Sequence, residues 1–163
     1  MIELLGALSE LEDTRLIFTM PNADTGGREL NALVQEFVNN HYNACVFTSL
    51  GQLRYFSCLA QIDCVVGNSS SGLLEAPAFS IGTVNIGDRQ KGRLQATSII
   101  DCEPYKQAIL CALERVYSPT FQQALKLTSN PYGSGGASEN VAKILADYPL
   151  DKQFYNLPTK AVF

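Results

Sequence analysis

The sequence predicts an α/β protein with a doubly wound parallel sheet of Rossmann-like type. Short apolar runs rich in β-branched residues alternate with stretches of helical periodicity, as parallel βα units require. Polar, glycine-bearing segments follow those runs, which gathers them on the one rim where such sheets hold ligands. With 163 residues, 46% of them hydrophobic, the chain can build one sizeable core and is short for two ordinary domains.

Ile2, Leu5, Leu8 and Leu11 recur at helical spacing, and Arg15 to Thr19 then reads as a short buried strand. The turn cluster Pro21 to Gly27 leads into an amphipathic helix marked by Leu30, Leu33, Val34, Phe37 and Val38, ending near Asn40. Ala44 to Thr48 is the second strand, and a loop through Gly51 opens a helix from Leu53 to Gln61. Cys64 to Gly67 is the third strand, followed by Asn68 to Ser71 and one helix from Gly72 to about Phe79. Thr83 to Ile86 and Thr97 to Ile100 are the last strands. Helices over Pro104 to Val116 and Pro119 to Leu127 each open near a proline, and a last one spans Ser138 to Ala146. The tail from Pro149 to Phe163 carries Phe154, Tyr155, Leu157 and Phe163 without a clear period, as a docking segment would.

The net charge of -4 and the absence of any basic cluster larger than Arg89, Lys91 and Arg93 argue against a nucleic-acid partner. Five cysteines form no C-x-x-C pair and fall mostly in apolar runs, which predicts buried reduced thiols in a cytoplasmic protein. The opening MIELLGALSELEDTR has no basic n-region, and no apolar run reaches the roughly 18 residues of a membrane span, so neither a secretory signal nor a membrane partner is expected.

Gly67 to Glu75, GNSSSGLLE, is the segment richest in potential chemistry. If Asn68 to Ser71 cap a helix starting at Gly72, unpaired backbone N–H groups and serine hydroxyls face the rim and favour an anion. Glycine at Gly67 and Gly72 permits close backbone approach. Glu75, placed in the first helical turn, is spaced to accept hydrogen bonds from ribose hydroxyls next to a phosphate. Serine capping and an N3 glutamate explain the same residues without a ligand. Arg89, Lys91 and Arg93 in GDRQKGR occupy the next loop on that rim, where a guanidinium fork suits a diphosphate and solvated surface charge is the alternative.

The sole histidine, His41, falls at the opposite end of strand two and reads as a packing or surface residue. The spacing of Gly67 to Gly72 does not match a G-x-S-x-G nucleophile elbow, and no His/Cys/Asp cluster shows metal-ligand spacing. NPYGSGG, Asn130 to Gly136, follows no strand and reads as a rigid turn capping the last helix.

Four motifs in order, PNAD at Pro21 to Asp24, GNSSSG with Glu75 downstream, GDRQKGR, and NPYG at Asn130 to Gly133, make the chain resemble the carboxyl-terminal half of the hydrolysing UDP-N-acetylglucosamine 2-epimerases of the sialic-acid pathway. The resemblance runs from about Arg15 to Pro149. The non-hydrolysing branch carries an Asp-Ser-Gly-Gly turn and a Gln-Glu-Glu run where this chain has Asn68 to Gly72 and Leu73-Leu74-Glu75.

The resemblance implies the second, UDP-holding domain of a GT-B-type fold over residues 1 to 149, and a tail, 150 to 163, that docks on a first domain. It implies that Ser69 and Ser70, with Asn68 and Gly72 in the same turn, hold the diphosphate, that Glu75 holds the ribose and Arg89 a phosphate. Asn22 would lie at the cleft and Leu50 would face the uracil. The implied partner is UDP or a UDP-sugar, with no cofactor and no metal, and a homo-oligomer is compatible with the full-length enzyme. The family eliminates UDP, adds water to a glycal-like intermediate and releases N-acetylmannosamine. Its first domain, with the catalytic acidic residues and a His-Pro junction motif, has no counterpart in these residues, so no catalytic residue is expected here and the chain alone should be inactive. A free-standing nucleotide-sugar-binding module and half of a GT-B glycosyltransferase are the competing readings.

Overall fold

The computed structural model describes residues 1–20 and 27–148. PNAD with Asn22, and the tail from residue 149 on, lie outside the described residues.

Helix α1 (Ile2–Leu8) precedes strand β1 (Leu16–Thr19), and α2 (Gly27–Asn40) precedes β2 (Ala44–Phe47). Helix α3 (Gly51–Leu59) leads to β3 (Cys64–Gly67), and the short α4 (Ser71–Leu74) with a 3-10 turn (Ala76–Phe79) leads to β4 (Gly82–Ile86). After β5 (Ile99–Cys102) come α5 (Lys106–Tyr117), α6 (Pro119–Leu125) and α7 (Ala137–Asp147). All pairings are parallel, so every connection must cross over rather than turn back in a hairpin. The ladders form two groups, β1–β2 and β3–β4–β5.

Strand β4 is central in its sheet and is buried from Gly82 to Asn85. Its Val84 packs in one cluster with Ile100 of β5, Leu5 and Leu8 of α1, and Ile109 and Val116 of α5. Full burial of each such aliphatic side chain stabilises by about 1.5–3 kcal/mol. Glu3 of α1 accepts the backbone N–H of Lys106 at 2.8 Å, and Glu10 pairs with the Lys106 ammonium at 2.5 Å. Tyr105 supplies no side-chain cap to α5, so Glu3 satisfies one of the orphan donors at that helix start.

The α/β Rossmann-like expectation holds, and the strands follow the β-branched runs. Three local expectations do not. The last strand begins at Ile99 rather than Thr97, because Ile99 N–H donates back to Ala96 O at 3.2 Å and this turn withdraws Thr97 and Ser98 from the strand. The single helix expected from Gly72 to Phe79 breaks at Glu75. Pro77 has no N–H for the Leu73 carbonyl and its ring would collide with it, so the chain tightens into a 3-10 turn. Pro104 stands ahead of the α5 cap residue Tyr105, which is extended at φ -125.

Burial of the thiols holds only in part, since Cys45 and Cys111 are exposed and Cys58, Cys64 and Cys102 are half-buried. On β2 and α5 the two exposed positions face away from the core while their neighbours in sequence face it. Cα proximity divides the chain into Met1–Tyr132 and Gly133–Phe163. In the second unit α7 begins after Gly136, at φ 76, and its Val141, Ile144 and Leu145 are exposed. No helix among the described residues is long and apolar enough to cross a membrane.

Candidate functional site

Gly67 pairs with Asn85, so the segments leaving β3 and β4 start side by side at the carboxyl ends of neighbouring strands. Gly67 has φ 145, outside the range L-residues readily adopt, and this lets the chain leave the ladder abruptly. In the turn that follows, the Gly72 N–H donates to Ser69 O at 3.3 Å, and the Leu73 and Leu74 N–H groups donate to Ser70 O at 3.0 and 2.9 Å. The Ser71 N–H donates to Ser69 Oγ at 3.4 Å. The N–H groups of Asn68, Ser69 and Ser70 donate to no described residue. With Asn68 and Ser69 exposed, these three groups and the nearby hydroxyls are a run of successive donors of the kind that suits an anion.

Gly72 fixes the depth at which α4 sits on the sheet. A Cβ there would lie 2.6 Å from Thr83 Cγ2, and Thr83 Oγ1 donates to Gly72 O at 3.0 Å. Glu75 is the C-cap of α4 rather than a first-turn residue, and it is half-buried.

The basic loop is bound to the turn by Gln90, whose Nε2 donates to Asn68 O at 2.7 Å. Gln90 is only 3% exposed, whereas Arg89 and Lys91 on either side of it are exposed. Arg89 forms no ion pair with a described residue. Its guanidinium is therefore unpaired among the described residues, on an exposed position next to Gln90.

Leu50 is the N-cap of α3, ahead of Gly51 at φ 65. The link from that helix to the turn is Tyr55, whose hydroxyl hydrogen-bonds with the Ser71 hydroxyl. Burial pushes the Tyr55 phenol up, the Ser71 hydrogen bond opposes this, and the Glu75 carboxylate pushes it further. Tyr55, Ser71 and Glu75 thus share one electrostatic neighbourhood.

NPYG does more than precede the last helix. Asn130 Nδ2 donates to Leu74 O at 2.8 Å, Asn130 Oδ1 accepts the Tyr132 N–H at 3.0 Å, and the Tyr132 hydroxyl donates to Leu94 O at 3.0 Å. One motif braces both α4 and the chain just beyond Arg93, and NPYGSGG ends as expected on the α7 N-cap, Gly136, whose carbonyl accepts the Asn140 N–H at 3.1 Å. His41 packs as expected, with its ring stacked on Phe37 at 3.8 Å and Nδ1 2.8 Å from Phe37 O.

Asn68, Ser69, Ser70, Gly72, Glu75 and Arg89 are therefore brought to one rim, with Leu50 on the helix joined to it through Tyr55. Sequence reasoning missed Gln90, Tyr55, Asn130 and Tyr132 as organisers of that rim. For Asn130 and Tyr132 the motif itself was the signal. Gln90 and Tyr55 act across 22 and 16 residues of sequence, which no local pattern discloses.

The family profile described as UDP-N-acetylglucosamine 2-epimerase matches residues 1–146. The chain is 35% identical over 162 residues to the polysialic acid biosynthesis protein P7 of Escherichia coli, covering 96% of this chain and 41% of that protein. It is 35% identical over 143 residues to the hydrolyzing UDP-N,N'-diacetylbacillosamine 2-epimerase of Legionella pneumophila, covering 87% of this chain and 36% of that one. The chain thus spans less than half the length of these relatives. In fold it is similar to the crystal structure of a UDP-N-acetylglucosamine 2-epimerase from Listeria monocytogenes, with TM-score 0.68, 17% identity, and coverage of 99% of this chain and 42% of that one. It is likewise similar to the Neisseria meningitidis UDP-GlcNAc 2-epimerase bound to UDP-GlcNAc, with TM-score 0.61, 13% identity, and coverage of 90% and 48%.

Proposed function

Because the chain belongs to the UDP-N-acetylglucosamine 2-epimerase family, we propose that its rim holds the UDP of a UDP-N-acetylhexosamine in the hydrolysing reaction. The observation that carries this is the junction of two loops: three unengaged backbone N–H groups at Asn68 to Ser70, tied through Gln90 to the loop that presents Arg89. Ser69, Ser70 and the backbone at Asn68 take the diphosphate while Gly72, its own N–H donated to Ser69 O, seats that turn on Thr83; Arg89 pairs with a phosphate, and Glu75 accepts from the ribose hydroxyls. Asn22 and Leu50 complete the site toward the sugar and the uracil.

In that reaction UDP is the leaving group. Donors already fixed around the diphosphate stabilise the charge that grows there as the C1–O bond breaks. The Legionella relative, named as hydrolyzing, supports water as the second reactant. Each residue assigned here serves the UDP and none the sugar C2, so on this reading the chain by itself binds the leaving group without releasing N-acetylmannosamine.

A charge-assisted hydrogen bond is worth about 1.5–3 kcal/mol and a neutral one about 0.5–1.5 kcal/mol. At about 1.4 kcal/mol per tenfold, loss of Arg89 should weaken UDP binding by roughly 10- to 100-fold and loss of the Ser70 hydroxyl by roughly 2- to 10-fold. Calorimetric titration with UDP and UMP, comparing the wild-type chain with Ser70→Ala, Glu75→Gln and Arg89→Ala, tests the assignment. Undiminished UDP binding in all three variants removes it. Release of N-acetylmannosamine from UDP-N-acetylglucosamine by the purified chain overturns the inactivity.

A further inference from the structure

We propose that Gln90 is a positioning residue that aims the Ser69 N–H at the diphosphate and locks the Arg89 loop to the same peptide, so that the two halves of the site act as one. This rests on the nucleotide reading above.

Gln90 is buried between exposed neighbours in a polar loop, which nothing about hydrophobicity explains. A carboxamide withdrawn from water must be hydrogen-bonded or it destabilises the fold. Half of it is bonded: Nε2 donates to Asn68 O at 2.7 Å, while the buried Oε1 accepts from no described residue. A side chain retained at that cost is held for what its donor does.

The acceptor identifies the role. Asn68 O belongs to the peptide whose other end is the Ser69 N–H, one of the three donors with no described partner. A trans peptide is planar, so its C=O and N–H point in opposite directions. Fixing the oxygen from the Gln90 side fixes the direction of the Ser69 N–H on the other. The same bond polarises the peptide, and linked hydrogen bonds strengthen one another. The Ser69 N–H is thereby both aimed and made a better donor.

The second consequence concerns Arg89. Its loop runs between Gly87 at φ 74 and Gly92 at φ 84, and its internal bonds are the short-range Lys91 N–H to Asp88 O at 2.9 Å and Arg93 N–H to Gln90 O at 3.2 Å. These shape the loop without attaching it to the turn. Gln90 makes the attachment, one residue from the guanidinium that meets the ligand.

The test is a ¹H–¹⁵N correlation titration of the full chain with UDP. Gln90→Met keeps length and bulk and removes the donor. Expected are an undisturbed pattern of core amides, a displaced Ser69 ¹⁵N resonance before any ligand is added, and UDP binding weakened about tenfold. Arg89→Ala should then cost a smaller factor in the Gln90→Met background than in wild type, a coupling that a merely structural role would not produce. In the wild type, where no variant must fold, the Gln90 carboxamide protons should exchange slowly and shift in step with Ser69 and Arg89 as UDP is added.

A Gln90→Met chain that binds UDP within about twofold of wild type, while Ser70→Ala and Arg89→Ala still weaken binding, overturns this inference and leaves the nucleotide site standing. Equal Arg89→Ala losses in both backgrounds, or Gln90 carboxamide protons that exchange like those of a solvated amide, also overturn it. A wild-type chain whose amides ignore UDP overturns both.

Discussion

Replacing Gly72 with alanine places a Cβ 2.6 Å from Thr83 Cγ2, about 1 Å inside an ordinary carbon contact. Two effects of opposite sign follow. Alanine in a helix gains up to about 1 kcal/mol over glycine. Overpacking a rigid site costs about 1–3 kcal/mol. The collision wins only if Thr83 cannot turn away, and Thr83 is β-branched, 2% exposed and bonded through Oγ1 to Gly72 O at 3.0 Å. Gly72→Ala should therefore lower the stability to urea by about 1–2 kcal/mol. Thr83→Ser removes the colliding methyl and retains the hydroxyl, so Gly72→Ala made in that background should be neutral or stabilising. A double-mutant cycle by urea denaturation measures the coupling, which should exceed about 1 kcal/mol. A Gly72→Ala cost that is the same in the wild-type and Thr83→Ser backgrounds would show that the helix is not seated on β4 as described.

Cys64 and Asn130 give two further outcomes. Burial pushes the Cys64 thiol up to about 12, with a hydrogen bond from the Val84 backbone opposing and Asp63 adding. The unfolded thiol ionises near about 8.5–9, so the folded chain binds more protons above that pH and loses stability by about 1.4 kcal/mol per unit as pH rises toward about 12. The urea midpoint should fall between about pH 9 and pH 10.5, and Cys64→Val should flatten the fall; parallel profiles for the two proteins would contradict the burial. Asn130→Ala removes bonds to Leu74 O and from the Tyr132 N–H, and should cost about 1–2 kcal/mol in urea denaturation, while Tyr132→Phe, at an exposed hydroxyl, should cost less than about 0.5 kcal/mol. A larger loss for Tyr132→Phe than for Asn130→Ala would reverse the assigned roles of the brace.

The strands were legible because their signal is local. Cys64 to Gly67 is a β-branched run closed by a glycine, and its bounds in the structure are the same. The break at Glu75 is also legible in the sequence, since Pro77 four residues past Leu73 cannot complete the helical bond. The start of β5 was not legible, because Thr97 has high strand propensity and only the turn from Ala96 to Ile99 takes it out of the ladder. The rim divides the same way. Residues proposed to meet the ligand announce themselves by type, as serine, glycine, glutamate and arginine do. Gln90 and Tyr55 organise those residues through contacts that exist only once the strands are side by side.

The short α4 sets the physical basis of the anion reading. A helix macrodipole is the sum of aligned peptide dipoles, and four residues add up to little of one. Charge stabilisation on this rim must come from donors in direct contact: the N–H groups of Asn68 to Ser70, the serine hydroxyls and the Arg89 guanidinium. Donors of that kind act only within hydrogen-bond distance and angle, where a dipole tolerates misplacement. The network around the turn then has a purpose that an extended field would not require. Gly72 seats α4 against Thr83, Gln90 sets the Asn68 peptide, Asn130 holds the end of α4, and Tyr55 holds Ser71. A site without a long helix behind it depends on position, and these contacts supply it from four separate segments of the chain.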